Sequence, residues 1–265
     1  MGAELLGDAA PEADAEMIAM LVEALRNTGL EEFQVSVGQI EFFKGLCAKA
    51  ALDEETEYEL REFISNRNEF GAQELLLEKE IPSDSIKALL SVNSLFGSYE
   101  ILDKALDSAD NQRSRKAIEH LKQVYALLKV YGVDQYISFD LAMVSKYNYY
   151  TGIIFSAYTY QAGSAIAKGG RYDNLLEKFG KPAPATGFVV MIDDLVSALT
   201  RQNCCPTPEN NNILLVYADD FGKAVAKARM YREQNYAVAL MKQEQPREHY
   251  SEFAENNNIS QVIFI

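Results

Sequence analysis

The sequence predicts an α+β fold, and three observations carry that prediction. Helical periods fill residues from about 40 to 133, a block of short β-branched and aromatic stretches follows them, and the chain closes on a strand, helix, strand, helix, strand pattern. Strands and helices gathered in separate blocks mark α+β architecture, whereas regular alternation marks a small parallel α/β module. The expected organisation is a core over residues 1–202 with a helical insertion at about 40–133, a linker at 203–212 and an α/β module at 213–265.

The elements follow in order. In "PEADAEMIAMLVEALRNTGL" the apolar residues Met17, Ile18, Met20, Leu21, Ala24 and Leu25 recur at helical spacing, with Pro11 in the first turn and Gly29 as the stop. "FQVSVGQI" alternates Phe33, Val35 and Val37 with polar residues, as a half-buried strand does. Then come "IEFFKGLCAKA", "EETEYELREFISN", "FGAQELLLEK", "SDSIKALLSVN", "SYEILDKALDSA" and "RSRKAIEHLKQVYALLKVYG", all helical and with no strand pattern among them. Ser83, Asp84 and Ser85 cluster as a helix start, and Gly132 is a stop. "QYISFDLAMV", "GIIFSAYTY", "SAIAKGG" and "ATGFVVMI" read as an antiparallel meander, and "DDLVSALTRQ" as the helix after it. "NCCPTPENNN" is rich in Pro and Asn, as linkers are. The final apolar strand, "ISQVIFI", reads as a module cut short relative to a longer parent.

Composition removes several classes of function. The chain has 265 residues, 48% of them hydrophobic, enough for a sizeable core. Its 25 Lys and Arg against 39 Asp and Glu give a net charge of −14, which repels a phosphate backbone, so no nucleic-acid partner is expected. Cys47, Cys204 and Cys205 have no metal-ligand spacing and no paired framework, which fits a reduced, cytoplasmic chain. The N-terminal stretch lacks a signal-peptide pattern, no apolar run reaches about 20 residues, and Leu6 stands where myristoylation needs Ser or Thr. No membrane association is expected.

Familiar catalytic signatures are missing as well. His120 and His249 lie on predicted helix surfaces with no carboxylate and nucleophile nearby in sequence, so solvated or capping roles are expected of them. Leu175 occupies the position where a phosphate loop would place its first glycine before Gly180 and Lys181, and the three-glycine dinucleotide spacing is absent near Lys168. Asp193 with Asp194, and Asp219 with Asp220, could hold a cation, but acidic pairs are equally at home at helix N-termini. No catalytic residue, metal or cofactor is expected.

Three stretches carry a resemblance. "YNYYTGIIF", "KGGRYDNLLEKFG" and "PATGFVVMIDDL", in that order after a helical insertion, closely resemble the catalytic core of histidyl-tRNA synthetase. In that family the first is typically an Arg-Gly-Leu-Asp-Tyr-Tyr-Thr-Gly box, the second a Gly-Gly-Arg-Tyr-Asp box, and the third resembles class II motif 3. "AELLG" resembles the segment just after motif 2, so the similarity runs over about residues 3 to 200 and leaves motifs 1 and 2 outside the chain. The resemblance implies a class II aminoacyl-tRNA synthetase-like antiparallel sheet, and a C-terminal module resembling an anticodon-binding-like domain. It also implies that Glu4, Tyr150 and Tyr172 sit where the synthetase recognises histidine, with Gly169 and Gly170 letting the backbone approach the ligand. A carboxylate and tyrosine hydroxyls suit an imidazole, which needs one donor and one acceptor partner. If the first box is extended, Tyr149 and Tyr150 face opposite ways and at most one meets the ligand.

The departures matter as much. Ser145 replaces the box-opening arginine, Lys146 the glycine after it, and Asp194, beside Asp193, stands where motif 3 supplies an arginine to the triphosphate. A carboxylate there opposes the charge stabilisation that adenylation needs. A histidine pocket without an ATP site resembles the regulatory subunits of ATP phosphoribosyltransferase. That resemblance implies a short-form catalytic partner, a hetero-octamer, and histidine as feedback effector of the first step of histidine biosynthesis. A divergent histidyl-tRNA synthetase and a free-standing histidine-binding module are the alternatives.

Overall fold

The computed structural model describes residues 1–144, 149–160, 162–205 and 211–265. They fall into two compact units, Met1–Cys205 and Pro206–Ile265.

The first unit is built on a seven-stranded sheet. In chain order it contains β1 (Gly2–Leu6), α1 (Pro11–Asn27), β2 (Phe33–Gln39), α2 (Ile40–Lys49), α3 (Glu54–Ser65), α4 (Glu69–Glu78), α5 (Ser83–Ser91), β3 (Phe96–Gly97), α6 (Glu100–Ser108) and α7 (Gln112–Tyr131). There follow β4 (Ile137–Asp140), β5 (Ile153–Thr159), β6 (Ala167–Arg171), β7 (Ala185–Val190) and α8 (Ile192–Arg201). The strand order is β1-β7-β6-β5-β2-β4-β3. Every pairing is antiparallel except that of β2 with β4.

That parallel pair corrects the expected meander. Of its four strands only β5, β6 and β7 are successive neighbours, and β4 lies beyond β2, because the chain leaves β2, crosses through the helical insertion and returns in the same direction. Parallel strands require such a long crossover. The insertion is also not free of strand: Phe96–Gly97 adds a two-residue edge to β4. β2 is buried from Val35 to Gln39 rather than half-buried, since it runs through the middle of the sheet with both neighbours in place.

Local signals explain most helix boundaries. Pro11 occupies the first helical turn of α1, where its missing N–H costs nothing. The side chains of Gln39, Asp53, Asn68 and Asn111 accept from the backbone N–H of Glu41, Thr56, Gly71 and Ser114, capping α2, α3, α4 and α7. Ser83 is the first residue of α5 and not its cap; Pro82 holds the cap position, with no side-chain bond to the helix. Gly132 ends α7 at φ +70°, the left-handed geometry that glycine adopts without a steric penalty. Arg67 fastens the corner between α3 and α4 to the sheet, donating from Nη1 to the Asn93 carbonyl at 2.7 Å and from Nη2 to Asp140 at 2.6 Å.

The two sheet faces differ. α1 packs on α7 and on β7, and the apolar side chains Val35, Val37, Phe139, Phe155 and Phe188 are buried in the same core as α1 and α7. The opposite face carries the residues that alternate with these.

The second unit contains β8 (Asn212–Tyr217), α9 (Phe221–Glu233), β9 (Ala237–Lys242), α10 (Arg247–Asn256) and β10 (Gln261–Phe264), with parallel order β10-β8-β9. Two small cores cover it: Ile213 and Leu215 pack with Ala228 of α9, and Leu214 and Val216 with Tyr250 of α10. Alternate residues of β8 therefore face opposite ways into separate cores. Asp220 caps α9 by accepting from the Lys223 N–H at 2.8 Å. Among the described residues no helix is long and apolar enough to cross a membrane.

Candidate functional site: a glycine-floored cleft on the open sheet face

The register sets a row across five strands in which three of the five residues are glycine. Glu4 pairs with Gly187, Gly187 with Gly170, Gly170 with Ile154 and Ile154 with Gly38. Directly paired residues share a face, so the three glycines leave a trench in the pleated surface. Long side chains lie in it. A Cβ on Gly187 would come within 1.8 Å of Glu4 Oε2, and one on Gly170 within 2.7 Å of the Tyr150 ring. The glycines thus seat Glu4 and Tyr150.

Around that trench the candidate residues converge. Tyr172 donates its hydroxyl to Glu4 Oε2. A cleft of 250 Å³ is lined by Glu4, Tyr149, Tyr150, Tyr172 and Gly169, among others. Gly170 does not line it; the space of its missing side chain is filled by Tyr150. Tyr149 and Tyr150 both line the cleft, with ring centroids 4.3 Å apart, contrary to the expected alternation. The reason is local: the chain turns at Tyr149, and extended structure begins only at Ile153. Burial, and then its hydrogen bond with Tyr149, hold the Tyr150 hydroxyl well above the ordinary tyrosine value. Burial, and then the bond to Glu4, do the same for Tyr172. Both phenols are therefore proton donors across the neutral range.

A second cavity of 440 Å³ adjoins the first, and Tyr150, Lys168 and Gly169 line both. Its apolar wall comes from Met143, Val144, Ile154 and Phe155, and its polar rim from Ser65, Asn66, Ser156 and Tyr158. Ser65 and Asn66 belong to the end of α3, so the Arg67 clamp described above also positions this rim.

Beneath the cleft lies a buried charge network. Arg171 alternates to the core side of β6, where Nε reaches Asp14 Oδ1 at 3.0 Å and Nη1 reaches both the Asp8 carbonyl and Asp173 Oδ1 at 3.1 Å. Burial by itself would lower the proton affinity of this guanidinium, but Asp14 and Asp173 more than offset it and hold it above its ordinary value. Asp173 also takes the Ala185 N–H at 3.2 Å and gives its own N–H to Thr151 Oγ1 at 2.9 Å. Arg171 and its neighbours thereby fix the backbone on either side of Tyr172 and just after Tyr150.

His120 joins the same network, which corrects the expectation of a solvated or capping role. Its Nε2 lies 3.2 Å from Asp14 Oδ2, and its Nδ1 lies 3.3 Å from Gln39 Nε2. The cap on α2 commits Gln39 Oε1 to the Glu41 N–H, so the Gln39 amide nitrogen faces the ring. A neutral ring then accepts at Nδ1 and donates from Nε2–H to Asp14. Asp14 comes from α1, more than a hundred residues away, which is why sequence proximity did not reveal it.

Asp193 and Asp194 lie in the first turn of α8, where the helix dipole favours carboxylates; Ser164 Oγ donates to Asp194 at 3.3 Å, and neither residue lines the cleft. Ser145 and Lys146 lie outside the described residues. Among the described residues no cluster of His, Cys, Asp and Glu could hold a metal ion.

A mostly antiparallel sheet with one helix-covered face and an open, glycine-floored face, interrupted by a helical insertion, is the class II fold of histidyl-tRNA synthetase. The family model described as histidyl-tRNA synthetase matches residues 1–195. Among curated relatives, the ATP phosphoribosyltransferase regulatory subunit of Acetivibrio thermocellus is 40% identical over 240 residues, 90% of this chain and 57% of the relative. That of Thermoanaerobacter pseudethanolicus is 36% identical over 263 residues, 99% of this chain and 68% of the relative. A solved ATP phosphoribosyltransferase regulatory subunit/histidyl-tRNA synthetase from Bacillus halodurans has 30% identity and a TM-score of 0.81, covering 99% of this chain and 67% of that one. A histidyl-tRNA synthetase from Nostoc sp. PCC 7120, with 19% identity, a TM-score of 0.77 and coverage of 97% and 64%, shares the fold. The chain belongs to the ATP phosphoribosyltransferase regulatory subunit family, within the histidyl-tRNA synthetase fold. It spans 57% to 68% of the length of the relatives named above.

Proposed function

We propose that this chain acts as a non-catalytic regulatory subunit of a short-form ATP phosphoribosyltransferase, serving the first step of histidine biosynthesis in the cytoplasm. The observation that carries the reading is the 36% identity to such a subunit over 99% of the chain. The cleft adds to it: Glu4, Tyr150 and Tyr172 present one carboxylate and two phenols to a single space, the partners an imidazole takes. In this reading histidine is the feedback effector and occupies that cleft, the partner subunit performs phosphoribosyl transfer, and the assembly is a hetero-octamer. Residues 213–265 serve as an anticodon-binding-like module without a tRNA-binding role, in keeping with a net charge of −14.

The test is reconstitution. Mixed with the short catalytic subunit, the protein is expected to co-purify, to switch on phosphoribosyl transfer, and to make that transfer sensitive to histidine. Alone it should give no histidine-dependent ATP–pyrophosphate exchange. Robust exchange would mean a divergent synthetase, while calorimetric histidine binding without any association with the catalytic subunit would mean a free-standing histidine-binding module.

A further inference from the structure

Lys168 has no role in the site as assembled so far, and its position is unusual. It lies one same-face position along β6 from Gly170 and pairs across strands with Ser156 and Val189, so its side chain rises from the cleft face. It is exposed, it lines both cavities, and among the described residues its ammonium makes no ion pair or hydrogen bond. The carboxylate of the cleft, Glu4, stands two strands and two residues away, which at sheet spacings separates the two Cα atoms by about 12 Å. Glu4 is held by Tyr172, and among the described residues no ion pair joins it to Lys168. The gap between them matches a small molecule that is cationic or hydrogen-donating at one end and anionic at the other.

We infer that Lys168 is the specificity residue for the anionic end of the cleft's ligand, so that the site selects a zwitterionic amino acid, with the imidazole and amino group toward Glu4 and the tyrosines and the carboxylate on the Lys168 ammonium. This rests on the proposed histidine-binding role of the cleft. The ammonium is a point charge on a flexible stem and needs no fixed ligand plane, unlike a guanidinium fork. Its charge also works against the rest of the molecule. A net charge of −14 attracts cations in general, so a preference for a neutral zwitterion over the corresponding monocation cannot come from the overall field and has to come from a local cation.

The probe pair is histidine and histamine, which differ by the carboxylate alone. Calorimetry on the protein is expected to show histidine bound more tightly on the order of tenfold, the worth of one charge-assisted bond. Lys168→Met should erase that preference by weakening histidine binding and relieving the repulsion of histamine, while Lys168→Arg should retain most of it. A Lys168→Met protein that still prefers histidine would overturn the inference and leave the histidine-binding role standing. No binding of either compound by the wild type would overturn both. As a measurement that needs no variant, acetic anhydride labelling of the wild-type protein, read by peptide mass spectrometry, should show Lys168 protected by histidine and not by histamine. Equal protection by the two, or none, would count against the inference.

Discussion

Asp14 is buried with no exposure at all, yet it carries a charge, and its partners explain why that is tolerable. Arg171 and His120 reach it from different elements, and removing one member of such a set leaves a buried charge without its counterpart. Asp14→Ala is accordingly expected to cost about 3–5 kcal/mol in urea unfolding. Gly187 makes a different prediction. An added Cβ meets Glu4 Oε2 at 1.8 Å and the Ala3 carbonyl oxygen at 2.6 Å, so Gly187→Ala should drive Glu4 out of the trench. Histidine affinity should fall by roughly tenfold or more in calorimetry, for a stability loss of about 1–3 kcal/mol. Both residues show where sequence reading stops. Tyr150 and Tyr172 were legible because they sit inside compact boxes, whereas Gly187 and Lys168 gain meaning only from strand register, and the Asp14–His120 contact from helix packing.

Among the elements, α7 was legible at its C-terminal end, where Gly132 stops it, while the cap at Asn111 came only from the structure. Gly132→Ala should cost about 1 kcal/mol in thermal or chemical unfolding, because a side chain at φ +70° meets the following carbonyl. β2 was legible as a strand but not as a buried one. Its alternation of Phe33, Val35 and Val37 with polar residues gives the period, while burial on the second face is decided by β4, β5 and the insertion around it. The turn at Tyr149 was hidden for a similar reason. Two aromatic residues before a strand look extended, and it is the ring packing of Tyr149 on Tyr150, with Tyr149 edge-on to Tyr172, that bends them into one cleft.

For the whole molecule, the raised tyrosines predict the alkaline limit. Tyr150 and Tyr172 bind their protons more tightly in the folded state, so the stability they contribute is fully present below the unfolded tyrosine value of about 10 and is lost as pH rises through their higher folded values. Unfolding titrations should therefore show these two groups indifferent from pH 6 to 9 and destabilising above about pH 10, with Tyr150→Phe and Tyr172→Phe each reducing that alkaline loss. A variant pair with an unchanged alkaline limb would contradict the assignment.

By itself the sequence determined the α+β class, the helical insertion, the small α/β module, and the boxes around Tyr150 and Tyr172, because periodicity, caps and short motifs are local properties of the chain. Tertiary structure decided the rest. The parallel crossover from β2 to β4, the glycine row from Gly187 through Gly170 to Gly38, the ammonium of Lys168 above it and the Asp14 network below it all depend on residues far apart in sequence. Register and packing bring such residues together, and a one-residue shift of register would turn each of those strand side chains to the other face of the sheet.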